Sequence, residues 1–183
     1  GYGSDYSEQD DPQFLRNVSE CMKRGIPFGV YIYSYAYNTS MAQSEANHVL
    51  RLLNAAGLTP GKVSYPIYFD LENQGSNGRP GASGHSISNS TLASMASTFC
   101  GAIENAGYRA GVYANLNWWN SYLTSSVFDN WSKWVAQYNS SCWYSKPYDM
   151  WQCMSDGSVP GISTNGDVNF DFMGLGPEIN ELG

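Results

Sequence analysis

One phrase occurs twice in this chain: a stretch of helical periodicity, a glycine that stops it, and a Gly-Val-Tyr strand. It runs into Gly25 and Gly29-Val30-Tyr31, and again into Gly107 and Gly111-Val112-Tyr113. Alternating helices and strands build a parallel sheet, because a parallel neighbour is reached only through a crossover. The loops after the strands then gather at the strands' carboxyl ends. The first phrase opens with Asp11 as N-cap and Pro12 at the first helical position, followed by Phe14, Val18 and Cys21 or Met22 at helical spacing. Residues 28–36 alternate with three tyrosines on one face and read as a strand. Ser40 and Gln43 form a capping box that opens a second helix, with the stripe Ala46, Val49, Leu50 and Leu53 and a stop at Gly57. A third helix carries Leu92, Met95, Phe99 and Ile103 to Gly107, and a strand over 110–116 and a short helix over 118–123 follow. Residues 133–138, 148–153 and 167–172 are three more strands, too close together for full helices between them. The expected fold is α/β, a single domain over residues 1–183.

Between the second and third helices lies the stretch Ser-Tyr-Pro-Ile-Tyr-Phe-Asp-Leu-Glu-Asn-Gln-Gly, residues 64–75. Tyr65, Ile67 and Phe69 alternate in a run rich in aromatic and β-branched residues, so it reads as a strand. It ends in Asp70 and Glu72, which share a face about 6.6 Å apart along the chain. Two carboxylates held together do not both ionise freely; one tends to keep its proton near neutrality while the other stays charged. Glycoside hydrolysis needs that division of labour. An Asp-x-Glu alone is more often a strand running into an acidic loop, so the surrounding motifs must decide. Residues 73–89 form a Gly/Ser-rich loop, long enough to imply a task such as covering a site, and Arg79 is its only formally charged side chain. Arg79 is a candidate contact for substrate carboxylates.

The net charge of −7 and the lack of a Lys/Arg cluster argue against nucleic acid and against an anionic membrane surface. No apolar run is long enough to span a membrane. The first residues, Gly-Tyr-Gly-Ser-Asp, are not a signal peptide, so any export signal lies outside this sequence. The 14 Tyr and 6 Trp suit a surface that stacks on sugar faces, and equally an aromatic core. Four cysteines allow three pairings. Cys142 and Cys153 flank a short connection, which permits a bridge in an oxidising compartment, whereas Cys21 and Cys100 lie on helical apolar stripes and read as buried free thiols. Neither these spacings nor His48 and His85 form a zinc pattern, and no metal or cofactor is expected.

Taken in order, these motifs resemble the Chalaropsis-type lysozymes, glycoside hydrolase family 25. The resemblance rests on Gly29-Val30-Tyr31, on Pro66-Ile67-Tyr68-Phe69-Asp70-Leu71-Glu72, and on Ala110-Gly111-Val112-Tyr113 with Trp118-Trp119. It continues through Trp134-Val135-Ala136-Gln137-Tyr138, Trp151-Gln152 and Asp167-Val168-Asn169. Each motif is weak alone; the ordered set is specific. It implies a flattened, irregular TIM-like β/α barrel that cleaves the β-1,4 bond between N-acetylmuramic acid and N-acetylglucosamine in bacterial peptidoglycan, outside the cell or in its wall. Glu72 would be the general acid, and Asp70 would steady the N-acetyl group or the positive charge developing at the sugar ring. Tyr31 and Asp167 match positions lining the −1 sugar site, and Asn115, Gln137, Tyr138 and Trp151 are further candidates for sugar contact. The family's first strand, its helix and most of its second strand have no counterpart in this sequence. Exposed strand edges of that kind favour pairing with another copy of the chain. The competing reading is a non-catalytic, degenerate module that binds cell-wall glycan; a purely structural domain explains neither Asp70-x-Glu72 nor Asp167.

Overall fold

The computed structural model describes residues 1–72 and 87–175. In chain order the elements are α1 (Phe14–Arg24), β1 (Val30–Tyr33), α2 (Thr39–Ala55), β2 (Ile67–Asp70), α3 (Asn89–Asn105) and β3 (Ala110–Asn115). They continue with α4 (Leu116–Ser121), β4 (Ser132–Ala136), β5 (Met150–Gly157) and β6 (Gly166–Asp171). The strands form one sheet in the order β1-β2-β3-β4-β5-β6. The first five run parallel, β1 to β4 as the alternation of elements requires and β5 after an irregular connection over 137–149, while β6 returns antiparallel on β5 with irregular register. The sheet is curled into a half-barrel: the Tyr65 hydroxyl, just before β2, donates to Asp171 at the end of β6 over 2.7 Å, although three strands separate them in the sheet.

Helix starts differ from the sequence expectation for a local reason. The carboxamide of Asn38 accepts from the Met41 N–H, so Asn38 rather than Ser40 caps α2. Before α1 the Asp11 carboxylate accepts from the Gln13 N–H and Pro12 lies in a turn, which delays the helix to Phe14. The strand expected over 28–36 is paired only over Val30–Tyr33, and the one expected over 148–153 extends to Gly157 through its pairing with β6.

The repeated phrase has a steric basis. A Cβ on Gly29 would lie 2.5 Å from that of Tyr65, and one on Gly111 would lie 2.5 Å from the Tyr68 ring, so each Gly-Val-Tyr opens where a neighbouring aromatic residue leaves no room. The core fills the space between sheet and helices, with the Phe69 and Phe99 rings stacked at 4.3 Å and Leu53, Leu92, Met95 and Ile103 around them. Trp118 and Trp119 are also buried. The four cysteines are free thiols: Cys142 and Cys153 are unbridged, Cys100 is buried as expected, and Cys21 is only half-buried. Among the described residues, no helix is long and apolar enough to cross a membrane.

Candidate active site

The carboxyl ends of the parallel strands open into a cleft of about 540 Å³. Its lining includes side chains from all six strands or the residues just after them: Tyr31 and Tyr33, Asp70 and Glu72, Tyr113, Trp134, Gln152 and Asp167. Asp70 is the last residue of β2 and is held by the sheet on both sides, its carbonyl accepting from the Ser34 N–H at 3.0 Å while Leu71 N–H donates to the Tyr113 carbonyl at 2.9 Å. Its carboxyl group is buried, hydrogen-bonds Glu72, and keeps one oxygen, Oδ1, without a partner among the described residues. Burial first, and then the facing Glu72, raise the Asp70 carboxyl well above the ordinary carboxylate range. Glu72 is half-buried and also raised, by burial and by Asp167, with the hydrogen bond from Asp70 acting in the opposite direction. The pair therefore titrates as a unit, and ionisation of both carboxyl groups at once is disfavoured.

The surrounding groups sharpen this arrangement. The Tyr31 hydroxyl is raised by burial and then by Asp70 and Asp167, and burial followed by Glu72 pushes Tyr33 up to about 12. Trp134 stands edge-on to Tyr68 and Tyr113 at 5.2 and 4.8 Å, and its indole N–H donates to Asn169 on β6 at 2.9 Å. Gln152 Oε1 accepts from the hydroxyls of Tyr113 at 2.7 Å and Tyr138 at 3.2 Å. Such a site can protonate an oxygen, support a nearby positive charge and stack on a sugar ring. Among the described residues no group of His, Cys, Asp and Glu is arranged to hold a metal ion.

The fold brings Asp70, Glu72, Tyr31 and Asp167 to this one cleft. The other named candidates stand elsewhere. Asn115 caps α4 by accepting from the Trp118 N–H, Gln137 accepts from the Trp143 N–H, and buried Trp151 stacks on Phe170 while donating to the Gln137 carbonyl. Tyr138 meets the cleft at second hand, through its hydroxyl's bond to Gln152 and its interaction with Tyr113. Arg79 and His85 lie outside the described residues. Sequence reasoning missed Tyr33, Tyr113, Trp134 and Gln152 as cleft residues. Two-residue alternation from Tyr31 would have found Tyr33, and the sheet register pairs Tyr113 directly with Asp70.

The family profile described as Glycosyl hydrolases family 25 matches residues 3–162. This chain belongs to glycosyl hydrolase family 25. Among solved structures, the family 25 chain resembles the modular autolysin LytC from Streptococcus pneumoniae, solved in complex with a synthetic peptidoglycan ligand, at 27% identity and a TM-score of 0.78. The match covers 92% of this chain and 38% of LytC, so the chain spans well under half of that protein. The spore cortex lytic enzyme SleM from Clostridium perfringens shares the fold at 21% identity and a TM-score of 0.72, over 88% of this chain and 54% of SleM. So does a muramidase from Acremonium alcalophilum, at 21% identity and a TM-score of 0.67, over 93% of this chain and 78% of that one. No curated protein matches the sequence.

Proposed function

We propose that this chain hydrolyses the β-1,4 bond between N-acetylmuramic acid and N-acetylglucosamine in bacterial peptidoglycan, with Glu72 as the general acid. The observation that carries the reading is the hydrogen-bonded Asp70–Glu72 pair, raised together at the end of β2 in an aromatic-lined cleft. Carboxyl groups in mutual contact cannot straddle a glycosidic bond, so they act on one side of it. Glu72, half-buried in the cleft lining, delivers the proton to the leaving oxygen; buried Asp70 holds that proton ready and steadies the N-acetyl group or the positive charge developing on the sugar. Asp167, Tyr31 and Trp134 complete the wall around that sugar. The reading extends to the irregular, TIM-like β/α barrel as the architecture to which this curled sheet belongs, and to a place of action at the cell wall.

The test is turbidity loss of a purified bacterial wall suspension. Glu72→Gln keeps the shape of the side chain but supplies no proton, and should lower the rate by 10² or more, as expected on the order of magnitude for a lost general acid. Circular dichroism serves as the folding control. Unchanged lysis would remove Glu72 from the acid role, and wall binding with no turnover by the unsubstituted chain would mark a glycan-binding module instead.

A further inference from the structure

The sheet runs on past the cleft as an arm. β4 pairs with β5 only as far as Ala136 and Gln152, and beyond that point β5 continues to Gly157 on β6 alone. The pairing of this arm slips twice. Cys153 stands between Gln152, opposite Asn169, and Met154, opposite Val168, and so has no residue facing it; Ser155 and Asp156 together then fall opposite Asp167 alone. Bulges of this kind bend a strand and re-aim its side chains. Asp167 lines the carboxylate cleft, whereas residues 153–156 line a separate trough of about 460 Å³ whose other wall is residues 138–140.

Both walls are held by hydrogen bonds of their own. In the turn after β4, Gln137 Oε1 accepts from the Trp143 N–H at 2.7 Å and Asn139 Oδ1 from the Ser140 N–H at 2.8 Å. On the arm, the Cys153 thiol donates to the Val168 carbonyl at 3.3 Å. Tyr138 stands between trough and cleft: its hydroxyl donates to Gln152 Oε1 at 3.2 Å, and Gln152 lines the cleft, so a single layer of side chains separates the two spaces. Tyr138 is 60% and Met154 42% exposed, which leaves an aromatic face and a thioether open to the trough. Among the described residues that line it, Asp156 alone carries a formal charge, and it too is exposed.

We propose that this trough binds the side-chain ammonium of the diamino acid in an uncrosslinked peptide stem, while the glycan that carries the stem occupies the cleft. The proposal rests on the peptidoglycan-hydrolase reading. The trough offers what such a side chain needs. Asp156 and the Tyr138 ring attract the cation, the Met154 thioether packs on the methylenes behind it, and the hydroxyl oxygens of Ser140 and Ser155 accept from its N–H donors. With no Lys or Arg among the described lining residues, a stem carboxylate finds no partner there, and a neutral sugar gains nothing from Asp156. Crosslinking turns the amine into an uncharged amide, so the same charge that selects the amine selects stems that have not been crosslinked.

Steady-state kinetics on soluble, uncrosslinked glycan fragments with lysine-containing stems provide the test, each fragment compared with its copy N-acetylated at the lysine side chain. At low ionic strength the free-amine fragment should have a KM about fivefold below the acetylated one, the value of an exposed ion pair with a cation–π contact, with kcat within about twofold. Added salt should shrink that ratio. Asp156→Asn should bring the two KM values together. Equal KM values for the two fragments in the unsubstituted chain overturn the proposal, as does a ratio that survives Asp156→Asn. If neither fragment is cleaved, the hydrolase reading fails, while titration of the same pair onto the Glu72→Gln chain still decides the trough: a preference of about fivefold for the free amine supports it, and equal affinities reject it.

Discussion

Glu45 of α2 is fully buried, and its carboxylate accepts from the Ser34 hydroxyl and from the Tyr35 N–H, both at 2.7 Å. It fixes the segment that carries Tyr35 onto the cleft. Burial pushes the group up from 4.5 to about 7, against the downward pull of the Ser34 and backbone hydrogen bonds. A carboxyl group raised on folding favours the folded state most when protonated. Its contribution is fully present below about pH 4.5, declines as pH rises towards 7, and is lost above it. A gap of that size corresponds to about 3 kcal/mol at 1.36 kcal/mol per pH unit. Glu45→Gln removes the titration while keeping an oxygen to accept from Tyr35. The expected outcome is a stability curve flatter by about 3 kcal/mol between pH 4.5 and 7.5, measured by urea unfolding at several pH values with tryptophan fluorescence. Were the variant to keep the full pH dependence of the parent over that window, Glu45 would not be the group that titrates, and the reasoning from burial would be wrong.

Other expectations concern the site and the scaffold. Asp70→Asn should lower wall-lysis rates at least 10²-fold, since an amide cannot offset charge developing at the ring, and a rate within threefold of the parent would exclude that role. Because burial raises both carboxyl groups, kcat/KM should fall on the alkaline side as the pair loses its proton, and a flat profile from pH 5 to 9 would contradict it. Phe99→Ala should cost about 3 to 5 kcal/mol in urea unfolding through loss of its stack on Phe69, and a loss under 1 kcal/mol would mean that the core closes over the gap. Arg79→Ala should raise KM on peptidoglycan with kcat unchanged, and parental constants would leave that charge without a role. The outer edge of β1 carries a single bridge, to Tyr2, beside a groove lined by Phe14, Val18, Phe28 and Val30. Pairing of two copies along this edge predicts light-scattering mass that rises with concentration, and a monomer throughout would refute it.

What the sequence disclosed was local, and what it concealed depended on distant pairing. Asp70 and Glu72 were legible because a two-residue period and a strand end fix where their side chains point. Tyr31 and Asp167 were reached through the ordered motifs. Asn115, Gln137 and Trp151 also sit at strand ends, but their polar atoms are taken by a helix cap, a turn and a neighbouring carbonyl, and residue type does not reveal which role prevails. Tyr2 could not be placed from sequence at all, since its position depends on His48 and Arg51 more than 40 residues away. The antiparallel direction of β6 went unread although Pro160-Gly161 signals a turn, which the structure closes with Ile162 N–H donating to the Val159 carbonyl; that turn sits inside the connection over 158–165 rather than directly between paired strands.

The sheet's connectivity sets an order of assembly. Among the described residues β5 and β6 are the one antiparallel pair joined by a short connection, whereas each parallel contact must first close a longer stretch of chain. Loop-closure entropy makes such distant pairings slow, so the β5–β6 hairpin is expected to protect its amide hydrogens earliest in refolding, with β1 and the segment bearing Tyr2 among the last. Pulsed hydrogen exchange reads that sequence directly, and simultaneous protection of β1 and β5 would disprove it. A nascent or partly denatured chain would then build the β5–β6 side of the cleft, with Gln152 and Asp167, before the β1 side that carries Tyr31 and Tyr33.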